Sequence, residues 1–386
     1  MAKIDELFHC LIEKKGSDLH LEQGQKPKLR VQGEISEVEG TEVLTEEILK
    51  NIFQELVTPA LWDKFNRVGD LDFAYAMGDA ARFRSNFYRH FHGMGAVFRI
   101  IPTKILTLDQ LNTPAVLKNF GKLRSGLVLI TGPTGSGKST TLAAIVNHVN
   151  ETTSRKIGTI EEPLEFVHPN KNCLIVHREV GVHTDSFQTG LSTAMKSDAN
   201  VIMVGEMRDR ETIELACSAA EMGILVFGTL HTNSAAKTID RIIDVFPAKK
   251  KNQIRSVLAS SLHGVVSQNL LRTIDGTGRV AAFEILLFTS ALPGIIRTGD
   301  STKLNGLIQT SSKDGMVSMD DSLRALVKSK VISPEAALMK SIDKKRFEEM
   351  VEDAARKVRM AEEKELRDKE LAETGFMKKK PAESKK

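Results

Sequence analysis

Apolar residues along the first hundred positions follow two periods in turn. Ile4, Leu7, Phe8, Leu11 and Ile12 fall at helical spacing, and Gly16-Ser17-Asp18 ends that face before the alternation of Leu19-His20-Leu21. Lys28 to Ile35 carries a strand-and-turn pattern, and Thr45 to Leu56 reads as a helix with Thr45 as its N-cap. Three short strands of one sheet are then predicted at Asp72–Ala76, Ala81–Arg89 and Ala96–Ile101. In the middle one, a period of two turns Phe83, Ser85 and Phe87 to one face and Arg82, Arg84, Asn86 and Tyr88 to the other. By themselves, those arginines suit a solvated strand face. Residues 1–105 thus read as a small mixed domain. Pro102 to Pro114 breaks both periods, as a linker does, and 106–120 is taken as the joining segment.

From about Gly121 to Phe246 the pattern changes to short apolar runs alternating with helical stretches. Strands are predicted at Leu127–Thr131, Lys156–Ile160, Cys173–Val176, Val201–Val204 and Ile224–Thr229. This alternation implies an α/β domain, assigned to 121–345 with a helical C-terminal part, built on a mainly parallel sheet with helices on its faces. Ligands of such sheets bind beyond the carboxyl ends of the strands, so chemistry is to be sought there. Residues 346–386 differ again. Arg346 to Leu371 is dense in Glu, Lys and Arg with isolated Val358, Met360, Leu366 and Leu371, which predicts a solvated helix held by i,i+4 pairs. Lys378-Lys379-Lys380-Pro381 to Lys386 reads as a disordered basic end, a solubilising tail before it is a contact for anionic lipid.

Composition adds limits. At 386 residues, with 41% hydrophobic and 27% charged residues, the chain has the length and balance of a soluble protein of two domains. No run approaches eighteen apolar residues, and Met1-Ala2-Lys3-Ile4-Asp5-Glu6 carries no apolar signal region, so the expectation is a cytoplasmic chain with no integral membrane segment. The net charge of +4 is dispersed among carboxylates apart from the extreme C-terminus, which gives no strong case for nucleic acid. Cys10, Cys173 and Cys217 stand far apart in apolar surroundings and read as reduced packing residues.

The most specific chemistry lies after the strand predicted at Leu127–Thr131, in Gly132-Pro133-Thr134-Gly135-Ser136-Gly137-Lys138-Ser139-Thr140. A triphosphate must lie against backbone N–H groups. The loop therefore needs glycines to remove Cβ atoms, and the following helix start adds its positive dipole end. Lys138 reaches the β- and γ-phosphates, and the Ser139 hydroxyl ligates Mg²⁺. After the second strand comes Glu161-Glu162-Pro163-Leu164-Glu165, which suits a cation or activated water as well as it suits a solvated acidic loop. After the fourth, Val201–Val204 delivers Glu206 to the sheet edge beside the loop. There it either orients the water that attacks the γ-phosphate or caps the next helix. After the fifth, Gly228-Thr229-Leu230-His231-Thr232-Asn233 sets His231 at the same edge, as a γ-phosphate sensor or a structural histidine.

Together Gly132–Thr140, Thr159–Phe166, Val204–Asp209 and Gly228–Ala235 resemble the Walker A, Asp box, Walker B and His box of the secretion-type ATPases, and within them the type IV pilus retraction ATPases, the PilT/PilU group. Gly16–His20, Arg82–Asn86, Asp240–Pro247 and Gly315–Leu323 extend the resemblance over roughly residues 1–350. It implies a PAS-like N-terminal domain, a RecA-like domain, and a homohexameric ring that hydrolyses MgATP between the two domains to drive pilus retraction. It implies partners too: an inner-membrane platform protein, to which the chain would be peripheral, and a paralogous pilus ATPase. Arg82, Arg84 and Arg99 match positions that clamp the phosphates from the first domain, where positive charge meets developing negative charge. Arg208 and Arg241 are second-rank candidates for contacts across the site or subunit interface.

The chain also departs from the family pattern. Glu162 stands where Asp is usual, which moves the expected acid, and a water-mediated metal contact, to Glu165. Ile224 replaces a common His, leaving His231 alone in its box, and Lys196 replaces an Arg, which loses bidentate pairing. Pro293–Gly299 only loosely resembles the Ala-Ile-Arg motif of retraction. The four-cysteine zinc insertion of extension and type II secretion relatives is absent. Two other classes fit the same core. A DNA-translocating or type II secretion ATPase is one, although one Trp and two Tyr offer little material for stacking bases. The other is an accessory retraction ATPase with weak turnover that depends on a paralogue.

Overall fold

In the computed structural model, residues 4–31, 33–78, 80–101 and 104–377 are described. The opening apolar face forms α1 (Asp5–Glu13), followed by β1 (Asp18–Glu22), β2 (Lys28–Val31) and β3 (Glu34–Glu37). Helix α2 (Glu46–Leu56) begins where expected, with the Thr45 hydroxyl accepting from the Ile48 N–H at 3.3 Å. Helix α3 (Pro59–Val68), which the sequence pattern did not announce, is capped by Thr58, carries Pro59 in its first turn and stops at Gly69, where φ is +87°. Strands β4 (Asp70–Met77), β5 (Ala81–His90) and β6 (Gly93–Ile101) complete an antiparallel sheet in the order β3-β2-β1-β6-β5-β4. The alternation of β5 is realised: Phe83 stacks on Phe8 at 3.9 Å and Phe87 on Phe53 at 4.0 Å, while the arginines lie on the outer face.

The joining segment is packed rather than loose, with Leu108, Leu117 and Phe120 buried and a short helix α4 (Leu117–Phe120) within it; Pro102, where the period-breaking stretch begins, lies outside the described residues. The second unit runs β7 (Gly126–Thr131), α5 (Lys138–Thr152), β8 (Lys156–Glu161), β9 (Leu174–Glu179), α6 (Phe187–Lys196), β10 (Val201–Val204), α7 (Arg210–Glu221), β11 (Leu225–Leu230), α8 (Ala235–Asp244), α9 (Ala248–Ser261), β12 (Leu262–Arg272) and β13 (Arg279–Leu287). The sheet order is β13-β12-β7-β11-β10-β8-β9, parallel throughout except for β13. Strand β9 runs to Glu179, beyond the apolar stretch that suggested it, because it stays in parallel register with β8 through Glu161↔Glu179. The strands β7, β10 and β11 are wholly buried between helices, which is why their sequences read as unbroken apolar runs.

The helical end comprises α10 (Leu292–Thr298), α11 (Thr302–Thr310), α12 (Met319–Lys328), α13 (Pro334–Lys340) and α14 (Lys344–Met377). Its own small core gathers Leu323, Ile332, Ala337 and Phe347. The basic stretch Lys378–Lys386 and the opening Met1–Lys3 lie outside the described residues. All three cysteines are free, Cys173 and Cys217 buried and Cys10 partly so. Among the described residues no helix is long and apolar enough to cross a membrane.

Candidate active site

The loop between β7 and α5 takes its shape from glycine. Gly132 has φ +149°, and a Cβ there would stand 2.3 Å from the Gln268 carbonyl oxygen; Gly137, which begins α5, has φ +85°. Lys138 is only 8% exposed, and its Nζ donates to the carbonyl oxygens of Gly132 at 2.8 Å and Pro133 at 3.1 Å. Burial pulls its ammonium below the usual lysine range, partly opposed by Glu206 and Glu165. Pro133, Thr134, Gly135 and Ser139 are exposed at the mouth of the loop, Thr140 is half-buried, and Ser136 is buried beneath it.

Glu206 stands two residues past β10, opposite Lys138. Its Oε1 accepts from His231 Nε2 at 2.9 Å, and its Oε2 accepts from Arg208 Nη2 at 2.7 Å. His231 Nδ1 lies 3.5 Å from Lys138 Nζ. With the ring proton on Nε2, the imidazole accepts from the lysine and donates to the glutamate, giving one continuous chain from the loop to Arg208. Burial opposes ionisation of Glu206, but Arg208 and His231 outweigh it and hold the carboxyl below its ordinary range. Asp209 caps α7 by accepting from the Thr212 N–H at 2.8 Å, so Glu206 is not used as the cap.

The acidic loop after β8 divides its carboxylates by depth. Glu161 is 5% exposed and its Oε2 accepts from the Glu165 N–H at 3.4 Å; burial pushes its pKa up to about 8. Glu162 is exposed, 3.8 Å from Arg208 Nη1. Glu165 points outward, and Arg84 of the other sheet reaches it, Nη1 to Oε1, at 4.0 Å. The remaining arginines take other stations. Arg99 donates from Nε to Asp18 at 2.7 Å within its own sheet. Arg82 makes no ion pair within 4.0 Å among the described residues, although its charge acts on Glu179 and His177, and Arg241 is exposed in the last turn of α8.

Two further features were not read from the sequence. Gln268, in β12, donates from Nε2 to the Ser136 carbonyl at 2.7 Å and accepts from the Thr141 hydroxyl at 2.8 Å, so it braces both arms of the loop. The only signal was a polar pair, Gln268-Asn269, interrupting an apolar run. The joining segment also walls a cavity of ≈ 380 Å³ beside Gly137 and Thr140, with Leu106, Leu111, Asn112, Leu270 and Phe283 in its lining. Among the described residues no cluster of three or more His, Cys, Asp or Glu is placed to hold a metal by itself. The donor set suits a metal that arrives with phosphate oxygens: an exposed hydroxyl at Ser139, a half-buried carboxylate at Glu165 and a glycine cradle.

Residues 2–363 match the family described as Type II/IV secretion system protein. The twitching motility protein of Neisseria gonorrhoeae is 48% identical over 315 residues, covering 81% of this chain and 83% of that protein. The type IV pilus retraction ATPase PilT of Pseudomonas aeruginosa is 44% identical over 338 residues, 88% of this chain and 98% of that one. A crystal structure of the pilus retraction motor PilT with bound ADP superposes with a TM-score of 0.83 at 38% identity, covering 90% of this chain and 100% of the other.

Proposed function

This chain belongs to the Type II/IV secretion system protein family, and from that membership we propose how its residues turn ATP cleavage into movement. The fold is a RecA-like core preceded by a smaller PAS-like domain. The protein is an ATP hydrolase, and its work is that of a pilus retraction motor. The observation that best supports a common site is the gathering of Lys138, His231, Glu206 and Glu165 from the ends of four strands, β7, β11, β10 and β8, with Arg84 facing them from the other domain.

The phosphates of ATP lie on the N–H groups of the 132–140 loop, and Lys138 exchanges its loop carbonyls for their charge. The base enters the cavity beside Gly137, between Leu106 and Leu111 on one side and Leu270 and Phe283 on the other. The Ser139 hydroxyl, and Glu165 through water, would hold Mg²⁺ beside the phosphates, where it would neutralise their charge. Glu206, kept ionised by Arg208 and His231, orients the attacking water, while His231 registers the γ-phosphate through the same hydrogen-bond chain. Arg84 stabilises charge from the first domain, with Arg82 and Arg99 as further candidates. Glu162, Arg208 and Arg241 serve the rim or a subunit interface. Opening and closing of the cleft then drives the domains. In a homohexamer held at the inner membrane by a platform protein, with or without a paralogous ATPase, that motion is delivered to the pilus.

The test is steady-state ATP hydrolysis by the full chain beside Glu206→Ala, with assembly state read by light scattering on the same samples. The expected outcome is turnover by a hexamer, a fall in kcat of about 100-fold or more in the variant, and retained nucleotide binding. A parent chain that binds ATP tightly without turning it over would sink the autonomous motor in favour of an accessory subunit.

A further inference from the structure

We propose that Asp18 is a positioning residue for ATP hydrolysis: its carboxylate grips the Arg99 guanidinium by Nε and so holds Arg99 beside Arg84, with its terminal amino groups left to meet phosphate. The proposal rests on the placing of Arg84 and Arg99 at the ATP site given above.

Strand register sets these residues in one row. Asp18 of β1 stands directly opposite Arg30 of β2 and Arg99 of β6, and Arg99 stands directly opposite Arg84 of β5. Residues directly opposite in an antiparallel sheet share a face, so all four side chains lie on the outer face that the arginines of β5 mark. The row ends at the other domain, where Arg84 Nη1 is 4.0 Å from Glu165 Oε1. Taken in order across the sheet, its charges run positive, negative, positive, positive. The last two, Arg99 and Arg84, repel each other across their strands. Of the four, only Asp18 can offset that repulsion, and it does so from the side of Arg99 away from Arg84.

The contacts suit a grip. Asp18 is only 3% exposed although it lies on the outer face. Its Oδ1 accepts from Arg99 Nε at 2.7 Å and its Oδ2 from the Ser17 hydroxyl at 2.7 Å, while Arg30 Nε stands 3.8 Å from Oδ2. Burial opposes ionisation, but Ser17 and Arg99 outweigh it and hold the carboxyl below its ordinary range. The backbone under the carboxylate is fixed on both sides. Ser17 N–H donates to the Arg30 carbonyl at 2.8 Å, and Ile100 N–H donates to the Ser17 carbonyl at 3.1 Å. Gly16 permits that closeness, since a Cβ there would stand 3.0 Å from the Arg30 carbonyl oxygen. Arg99, by contrast, has a side chain that is 67% exposed. Unheld, so long a side chain keeps most of its rotamer freedom. A bond at Nε removes that freedom as far as the guanidinium plane and leaves both Nη groups for the bidentate pairing that phosphate favours. An error of about 1 Å in such a site can cost on the order of 100-fold in rate.

The experiment is steady-state ATP hydrolysis by the full chain for Asp18→Ala, Asp18→Asn, Arg99→Ala, the Asp18→Ala/Arg99→Ala pair and Arg30→Ala, with nucleotide-analogue binding and thermal unfolding alongside. Asp18→Asn keeps the shape of the side chain and decides the matter if Asp18→Ala does not fold. Expected is a fall in kcat of about tenfold or more in Asp18→Ala, with the KM for ATP moved less than about threefold. Asp18→Asn, which keeps an acceptor but loses the charge, falls between, about threefold or more below the parent. The double variant is no slower than Arg99→Ala by more than about twofold, and Arg30→Ala stays within about twofold of the parent. Parental kcat in Asp18→Ala, or in Asp18→Asn where Asp18→Ala does not fold, overturns the proposal. So does a kcat above the parent, which would make the pair a restraint on Arg99. Losses that multiply in the double variant overturn it as well, as does a loss matched by Arg30→Ala, which would mark Asp18 as a stabiliser of its own sheet. Arg99→Ala with parental kcat sinks the placing of Arg99 and this proposal together, whereas a slow Arg99→Ala beside normal Asp18→Ala and Asp18→Asn sinks this one alone.

Discussion

Three glutamates within 46 positions meet opposite fates because depth and neighbours differ. Glu206 has Arg208 and His231 at its two oxygens and stays ionised; Glu161 has no cation at its buried end and is pushed up to about 8; Glu165 is left at the surface for Arg84. The strand-end position of Glu206 could be read from the four apolar residues before it. Which carboxylate of the 161–165 loop turns inward could not, since that depends on β8 continuing through Glu161 in register with Glu179 of β9. His168 is a similar case, since nothing in the sequence singled it out. It is 3% exposed, both ring nitrogens lack a hydrogen-bond partner among the described residues, and it stacks on His177 at 5.9 Å. Burial, then His177 and Lys171, push its pKa down to about 3. Its folded pKa thus lies below the unfolded value, so the unfolded chain takes up the proton first. The His168 contribution is complete above pH ~6.5 and is lost as pH falls from there towards 3. His168→Phe keeps the stack and removes the titration, so the decline in Tm between about pH 7 and pH 5 should become shallower by roughly 2–4 °C for each 1 kcal/mol recovered. Parallel melting curves for parent and variant would show that His168 is not the source.

Elements were most legible where one period ran uninterrupted and least where a single polar residue set the boundary. The parallel strands β7 to β11 announced themselves as short apolar runs, the parallel β12 was not foreseen, and Thr45 announced α2. Helix α3 was missed although Thr58-Pro59 is a start signal and Gly69 a stop, because its apolar residues are few and only Phe65 is fully buried. The antiparallel β13 was missed as well, since nothing local distinguishes an outer antiparallel strand from a loop before β12 is placed beside it. The stretch read as a linker is one by composition, yet it supplies a wall of the cavity beside the phosphate loop. At α7 the sequence left open whether Glu206 caps the helix. Asp209 does so, taking the Thr212 N–H and hydroxyl both at 2.8 Å and the Gln188 amide at 2.8 Å. Glu206 is thereby free for chemistry. Asp209→Ala should cost about 0.5–2 kcal/mol, read as a lower Tm, and Asp209→Asn should recover most of it. An unchanged Tm in Asp209→Ala would mean that the cap does not hold α7.

At the scale of the whole molecule the long terminal helix poses a different question, because a chain organised around one cleft has no evident use for it. α14 is 34 residues long, on the order of 50 Å at the rise of an α-helix. Its first turns are tied to the body: Phe347 is fully buried among Leu323, Ile332 and Ala337, and Met350 packs against the same cluster. Further along, Met360 and the charged residues from Glu362 to Glu365 are exposed, and the Glu365–Lys369 pair, 2.8 Å apart, is of the i,i+4 kind that supports a helix in water. A helix whose described side chains from 362 to 365 are exposed adds little to the stability of the domain it leaves through them. Ending the chain after residue 352 should therefore leave Tm within about 2 °C of the parent and kcat within about twofold. Phe347→Ala, which opens a cavity in the small C-terminal core, should cost about 3–5 kcal/mol. Differential scanning calorimetry and steady-state turnover on the two variants separate the cases. If the shortened chain instead loses turnover or assembly while melting normally, the outer helix works between subunits or on a partner rather than within its own domain.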